Sequence, residues 1–315
     1  MKHNKDIKLN DSSQQAYCQC TVSGSASVDL FGNEIIKKEL LRDKFIEPPF
    51  SVLNSTNGNW QKRKNKWKRL GLKSEVGRQL NLTNLNGFND NDNYETRLNY
   101  TGTSIFDPVL CELIYHWFCE PNGLILDPFA GGSVRGIVAN YLGYKYTGIE
   151  LRQEQVDSNR EQALDIIELN NQPQWYIGDS EQIVTDLLPN YDLIFSCPPY
   201  MDLEVYSNLH SDLSQMNDNE FITKYEAIIT KSCDKLKDKC FAVFVVGEVR
   251  DKKTGFYKDF ITITKNAFYK AGLKLYNDAV FLENGLNTAA MRADKYMKNK
   301  KLVKVHQNVL VFRKV

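Results

Sequence analysis

The chain predicts a doubly wound α/β fold, and three observations predict it. Short apolar runs alternate with amphipathic stretches from Phe106 to the C-terminus. Most of the runs end in Gly, Asp, Glu or Pro, as buried strands with functional loops at their C-terminal ends do. The stretches between them carry helical periodicity, and strand–helix alternation over about 200 residues builds a sheet with helices on both faces.

The elements follow in order. Residues 1–105 are polar and irregular, rich in Asn, Asp, Ser and Gly, above all from 81 to 100. Val109, Leu110, Leu113, Ile114, Trp117 and Phe118 then form one helical stripe. The apolar runs predict seven strands at 124–126, 144–149, 174–177, 193–196, 241–246, 273–282 and 309–312. A helix follows the first strand, and 152–169, 218–237 and 257–271 read as helices, the last capped by Gly272. The last two strands are joined without a clear crossover helix, which fits an antiparallel final strand beside the sixth.

Composition narrows the class. The 315 residues are 42% apolar and 25% charged, which excludes wholesale disorder. No run approaches the ~18 apolar residues of a membrane span, and no secretory core follows the basic N-terminus. Seven cysteines are scattered without a Cys-x-x-Cys pair, so neither a disulfide framework nor a metal site is expected, and the chain reads as cytoplasmic and reduced.

Net charge is +1, but two segments are strongly basic. Residues 60–78 hold Lys62, Arg63, Lys64, Lys66, Lys68, Arg69, Lys73 and Arg78 against Glu75. Residues 291–315 hold eight further cations, Arg292 and Lys295 among them, against Asp294. Two basic segments on an acidic body suggest a polyanion held at defined places. Trp60 and Trp67 interleave with the first cluster, as a wedge on nucleic acid or as the docked face of a helix.

The first strand ends Asp127-Pro128-Phe129-Ala130-Gly131-Gly132-Ser133 before a helix. Glycines let backbone approach a ligand, and a helix N-terminus offers free N–H groups. No Lys-Ser/Thr follows Gly136, so a triphosphate loop loses its cation. Glu150 ends the second strand, where an acid accepts from ribose hydroxyls. Asp179 ends the third, placed to accept from an exocyclic amine. The fourth strand ends Ser196-Cys197-Pro198-Pro199-Tyr200.

These motifs resemble those of DNA methyltransferases that modify exocyclic amines, usually written Asp-Pro-Phe-x-Gly-x-Gly-Thr and Asp/Asn/Ser-Pro-Pro-aromatic. The resemblance runs from Ser104 to the C-terminus and implies a seven-stranded Rossmann-like sheet, S-adenosylmethionine (AdoMet) as cofactor and DNA as partner. It implies that Glu150 holds the ribose, Asp179 the adenine, and Phe106 and Asp107 the methionine end. Residues 104–315 are then the catalytic domain and 1–103 an annex for DNA binding and recognition. The segment from Glu47 through the basic stretch is similar to phage and prophage DNA methylases, which places the chain at the nucleoid of a bacterial or phage-infected cell.

One position departs from the family pattern. Cys197 stands where Asp, Asn or Ser is usual, and a thiol is a weak acceptor for an amine. It is the nucleophile that cytosine C5 methylation needs. Glu248, after the fifth strand, matches the acid that C5 enzymes use on the flipped base, with Arg250 supporting it. The sequence therefore sets C5 methylation through Cys197, with Tyr200 stacking on the base, slightly ahead of amine methylation at N4 of cytosine or N6 of adenine. In the amine mechanism Ser196 or the Pro198 carbonyl would accept. An RNA amine methyltransferase and a non-enzymatic binder on the same fold are the other readings.

Overall fold

The structure is a computed structural model and describes residues 40–72, 106–201, 212–251, 253–282 and 286–315. Cys18, Cys20, Lys73, Arg78, Ser104 and the polar stretch 81–100 lie outside the described residues.

Among the described residues, eight strands form one sheet. They are β1 (Val52–Asn54), β2 (Leu124–Asp127), β3 (Lys145–Glu150), β4 (Gln174–Ile177), β5 (Tyr191–Ser196), β6 (Leu236–Val246), β7 (Leu273–Leu282) and β8 (His306–Lys314). The order is β1-β7-β8-β6-β5-β2-β3-β4, and β8 alone runs against its neighbours. The doubly wound class and the antiparallel last strand are as the sequence predicts. The eighth strand is new, since three residues with one buried side chain, Leu53, give no periodicity to read.

The helices are α1 (Leu41–Phe45), α2 (Gly58–Arg69), α3 (Pro108–Phe118), α4 (Val134–Tyr141), α5 (Gln153–Ile166), α6 (Ser180–Asp186), α7 (Asp218–Lys235), α8 (Phe260–Lys270) and α9 (Leu286–Met297). Helix α7 starts at a capping box, Asn217 with Glu220. Helix α9 corrects the expectation that β7 and β8 are joined without one. Met291 and its charged neighbours are exposed along it, so no stripe of buried residues announces it.

Two apolar layers cover the sheet. One packs Val109, Leu113, Tyr115 and Ile137 on it, and the other Phe221, Tyr225, Phe260 and Phe268. Residues 41–315 form one compact unit. The boundary expected at 103/104 lies outside the described residues; β1 pairs with β7 and α2 docks on α3.

Helix α2 docks through its tryptophans. Trp60 (1% exposed) donates its indole N–H to Asp107 at 3.1 Å, and Trp67 (5%) donates to Glu112 at 3.3 Å. Arg63 takes the Glu112 carboxylate with two nitrogens, and Lys64 reaches Asp107 at 2.8 Å. Truncating a buried Trp costs about 3–5 kcal/mol, so the indoles anchor the helix, and the two ion pairs, each on a buried carboxylate, set its register. This corrects the expected roles of Trp60 and Trp67 on nucleic acid, since both indoles face inward; Arg63 is half-buried and paired with Glu112.

The polarity of α2 also matters. It leaves the C-terminal end of β1, where Trp60 packs on Phe281, and finishes with Trp67 against Tyr141 at the end of α4. Twelve residues carry it about 18 Å towards the opposite edge of the sheet. Lys66, Lys68 and Arg69 are exposed at that far edge, whereas Lys62 is exposed near the catalytic one. Helix α9 and the residues after it lie between the end of β7 and the start of β8, at the edge where β2 to β6 end.

Candidate active site

Strands β2 and β5 are neighbours at the point where the strand order reverses, the place where open α/β sheets bind ligands. The Asp127–Ser133 loop and the Cys197–Tyr200 loop therefore leave the sheet side by side. Asp127 joins them from beneath. Its carboxylate accepts from Ser196 Oγ at 2.5 Å, Arg135 Nε at 2.5 Å, Tyr146 Oη at 2.7 Å and the Phe129 N–H at 3.2 Å.

Asp127 is fully buried and all its named partners belong to the chain. This corrects the expectation that Asp127 meets the cofactor: its side chain is enclosed and shapes the Asp127–Ser133 turn from beneath. Ser196 is likewise buried, with its hydroxyl donated to Asp127, and so is not available to accept a target amine. Arg135 is the site residue that sequence reasoning misses. Its guanidinium donates to the Phe129 and Ala130 carbonyls at 2.7 and 2.9 Å and lies 4.6 Å from the Phe106 ring centroid. Burial works against its charge, but Asp127, with Tyr146 and Cys197, more than offsets this and the pKa ends above its usual value. The signal that could find it is an arginine inside the apolar stretch Val134–Tyr141, eight positions after Asp127.

Above this network lies the glycine turn. Gly131 has φ +51°, which favours glycine, and a Cβ there would meet open space. Its N–H donates to Glu150 Oε2 at 3.1 Å, while Asn159 holds its carbonyl at 2.8 Å. Glu150 also accepts from the Arg152 N–H at 3.1 Å. The turn and the β3 acid thus come together as expected, with Ala130 bound to Ile149 of β3 at 2.9 Å. Pro128 receives Ser180 Oγ at 2.5 Å, and the Phe129 ring packs on Tyr225 and Phe244. Gly132 is half-buried beside Gly131.

Two acids read as cofactor contacts are engaged elsewhere. Asp107 caps α3 through the Val109 and Leu110 amides and binds Trp60 and Lys64. Asp179 caps α6 through the Glu181 amide at 2.9 Å and pairs with Lys224 at 2.5 Å. Lys224 also lines an open cleft of about 630 Å³ with Glu181, Met216, Asn219 and Thr223.

At the second loop, Cys197 is half-buried with its Sγ 3.6 Å from Tyr200 Oη. Tyr200 donates to the Val245 carbonyl at 3.4 Å and stands edge-on to Phe260. Glu248 and Arg250, which the C5 reading assigns to the flipped base, both have partners within the chain. Glu248 accepts from the Phe260 and Ile261 amides at 3.3 and 3.1 Å, tying β6 to the start of α8. Arg250 donates to the Gly255 carbonyl at 2.9 Å and lies 3.8 Å over the Tyr257 ring. Sequence spacing cannot show this, because an acid after a strand serves a base or a helix N-terminus equally well.

Among the described residues, no group of three His, Cys, Asp or Glu side chains stands close enough to hold a metal ion, and no helix is long and apolar enough to cross a membrane.

Comparison with known proteins adds a partial family match. The N6/N4 methyltransferase family model, described as DNA methylase, matches residues 36–161. No curated protein sequence matches the chain. Among solved structures, it is similar to TrmN from Thermus thermophilus at 15% identity and a TM-score of 0.43, covering 67% of this chain and 49% of that one. It thus spans about half the length of that relative. It is also similar to magnesium protoporphyrin IX methyltransferase from Synechocystis, solved with bound AdoMet, at 11% identity and a TM-score of 0.42, over 80% of this chain and 90% of that one. A candidate DNA modification methylase, also from Thermus thermophilus, matches at 15% identity and a TM-score of 0.33, over 44% of this chain and 52% of that one.

Proposed function

We propose that this chain, an AdoMet-dependent DNA methyltransferase, methylates an exocyclic amine, N6 of adenine or N4 of cytosine. The observation that carries the choice is the N6/N4-type DNA methylase match over residues 36–161. Glu248, the acid the C5 reading uses, accepts from the Phe260 and Ile261 amides at the start of α8. Nothing supports the C5 preference beyond the identity of Cys197.

The residues present suit the cofactor. The space over Gly131 admits a ligand close to the backbone. Glu150 stands at that turn, held by the Gly131 and Arg152 amides and beside the Arg152 guanidinium, where a strand-end acid can accept from a ribose diol. Asp179 faces an amine only in company with Lys224. When bound, AdoMet supplies an electrophilic methyl group on a sulfonium. The chain's part is then to hold the amine in line with that methyl. The Pro198 carbonyl accepts one N–H, the Cys197 thiol is a weak second acceptor, and the Tyr200 ring packs on the base. Polarising the amine towards those acceptors readies its lone pair to form the N–C bond, and its proton leaves to solvent after transfer.

The test is chromatography-resolved mass spectrometry of nucleosides from DNA incubated with protein and AdoMet, beside Cys197→Ala. An N-methylated base is expected, and the variant should keep activity within about ten-fold, the worth of one weak hydrogen bond. 5-Methylcytosine that disappears in Cys197→Ala would sink the proposal.

The polyanion is gripped at the catalytic edge. Arg292 and Lys295 are exposed on α9 there, while Lys66 and Arg69 are not at that edge. Removing Arg292 and Lys295 together should weaken duplex binding and lower the salt slope by about one for each phosphate no longer neutralised. Removing Lys66 and Arg69 should leave both unchanged. Fluorescence anisotropy of a labelled duplex across a salt series decides. Equal weakening by the two pairs would return α2 to the DNA-binding surface.

A further inference from the structure

Single exposed apolar residues are ordinary on protein surfaces and need no function. Phe256 differs in three respects. It is 77% exposed on the returning arm of a turn that follows β6 on the catalytic edge. That turn is built to hold still, and its rim is cationic.

The stiffness can be read bond by bond. Arg250 and Tyr257 form an antiparallel bridge, and the Asp251 N–H donates to the Phe256 carbonyl at 2.9 Å. Gly255, at φ +77°, donates back to the Asp251 carbonyl at 2.9 Å and receives Arg250 on its own carbonyl. The Asp251 carboxylate takes the Thr254 N–H at 2.6 Å and hydroxyl at 2.8 Å. Glu248 then fastens the foot of the turn to α8. A ring displayed this firmly in water stays exposed in the free protein instead of folding down onto the surface.

Its surroundings name the occupant. The foot of the turn adjoins the Pro-Pro-Tyr loop: Tyr200 donates to Val245, and a Cβ on Gly247 would lie 3.8 Å from the Tyr200 ring. On the other side, the Lys301 amino group occupies the space that a Cβ on Gly255 would need. Lys253, Lys298 and Lys300 are exposed along the same rim. An aromatic face among ammonium groups is complementary to stacked bases between phosphates.

We propose that Phe256 enters the base stack of duplex DNA when the target base leaves it. The proposal rests on the DNA methyltransferase reading. Extruding a base costs its neighbours their stacking, and an inserted ring restores part of it. A single strand has no such stack to open, so the contribution should belong to duplex substrate alone.

The experiment measures methyl incorporation from labelled AdoMet into one unmethylated plasmid, native and heat-denatured. Phe256→Ala should lose about ten-fold or more on native DNA and less than about two-fold on denatured DNA, while Phe256→Trp restores the native rate. AdoMet affinity should not change. Equal loss on both forms would make the residue structural and overturn the proposal, as would no loss on native DNA. A wild-type protein active only on denatured DNA would overturn it too. Incorporation into neither form would instead overturn the DNA reading beneath it.

Discussion

Asp127→Ala is expected to lower stability by about 3–5 kcal/mol, the usual cost of leaving one member of a buried ion pair alone. Arg135 would remain with 6% of its side chain exposed and no carboxylate, and Ser196 and Tyr146 would lose their acceptor. Burial already raises the Tyr146 hydroxyl's pKa, and Asp127 adds to it, so that group stays a donor in want of a partner. Urea denaturation measures the loss. The double variant Asp127→Ala with Arg135→Leu should recover much of it, since removing both charges removes the stranded one. A loss under about 1 kcal/mol in the single variant would show that the network is not what holds the two loops together.

Glu150→Ala is expected to weaken AdoMet binding by about 100-fold, the worth of a charge-assisted hydrogen bond to a ribose diol with the loss of order in the turn. The carboxylate ties Gly131 and Arg152 as well, so the loop loses a clamp along with the ligand's acceptor. Isothermal titration with AdoMet gives the affinity, and Glu150→Gln separates the two effects by keeping an acceptor without the charge. A dissociation constant within about three-fold of wild type would remove Glu150 from the cofactor site. Together the two variants distinguish the platform from the ligand contact: the first should act mainly on stability, the second mainly on affinity.

The two results would divide residues that look alike in the sequence. Asp107, Asp127, Glu150 and Asp179 all sit beside recognisable motifs, and all carry the same carboxylate. Only their partners differ. Asp127 is enclosed, Asp107 caps α3 under the α2 indole, Asp179 shares its charge with Lys224, and Glu150 remains at the glycine turn. The same holds for the basic stretch of α2. Its cations and tryptophans suggest nucleic acid, yet Trp60, Arg63, Lys64 and Trp67 find their partners on α3.

Residue order alone was enough to write down seven of the eight described strands, the order of the motifs and the two loops that meet above β2 and β5. Those properties are local: an alternation of apolar runs, a glycine that must take a positive φ, two prolines that stiffen a turn. Packing in three dimensions set the rest. It turned Asp127 inward and Glu150 towards the glycine turn, set Lys66, Lys68 and Arg69 at the edge of the sheet away from Arg292 and Lys295, and gave Glu248 to a helix. Those outcomes depend on what meets each residue from distant parts of the chain. A carboxylate or guanidinium of given charge binds a ligand or a neighbouring helix by the same physics.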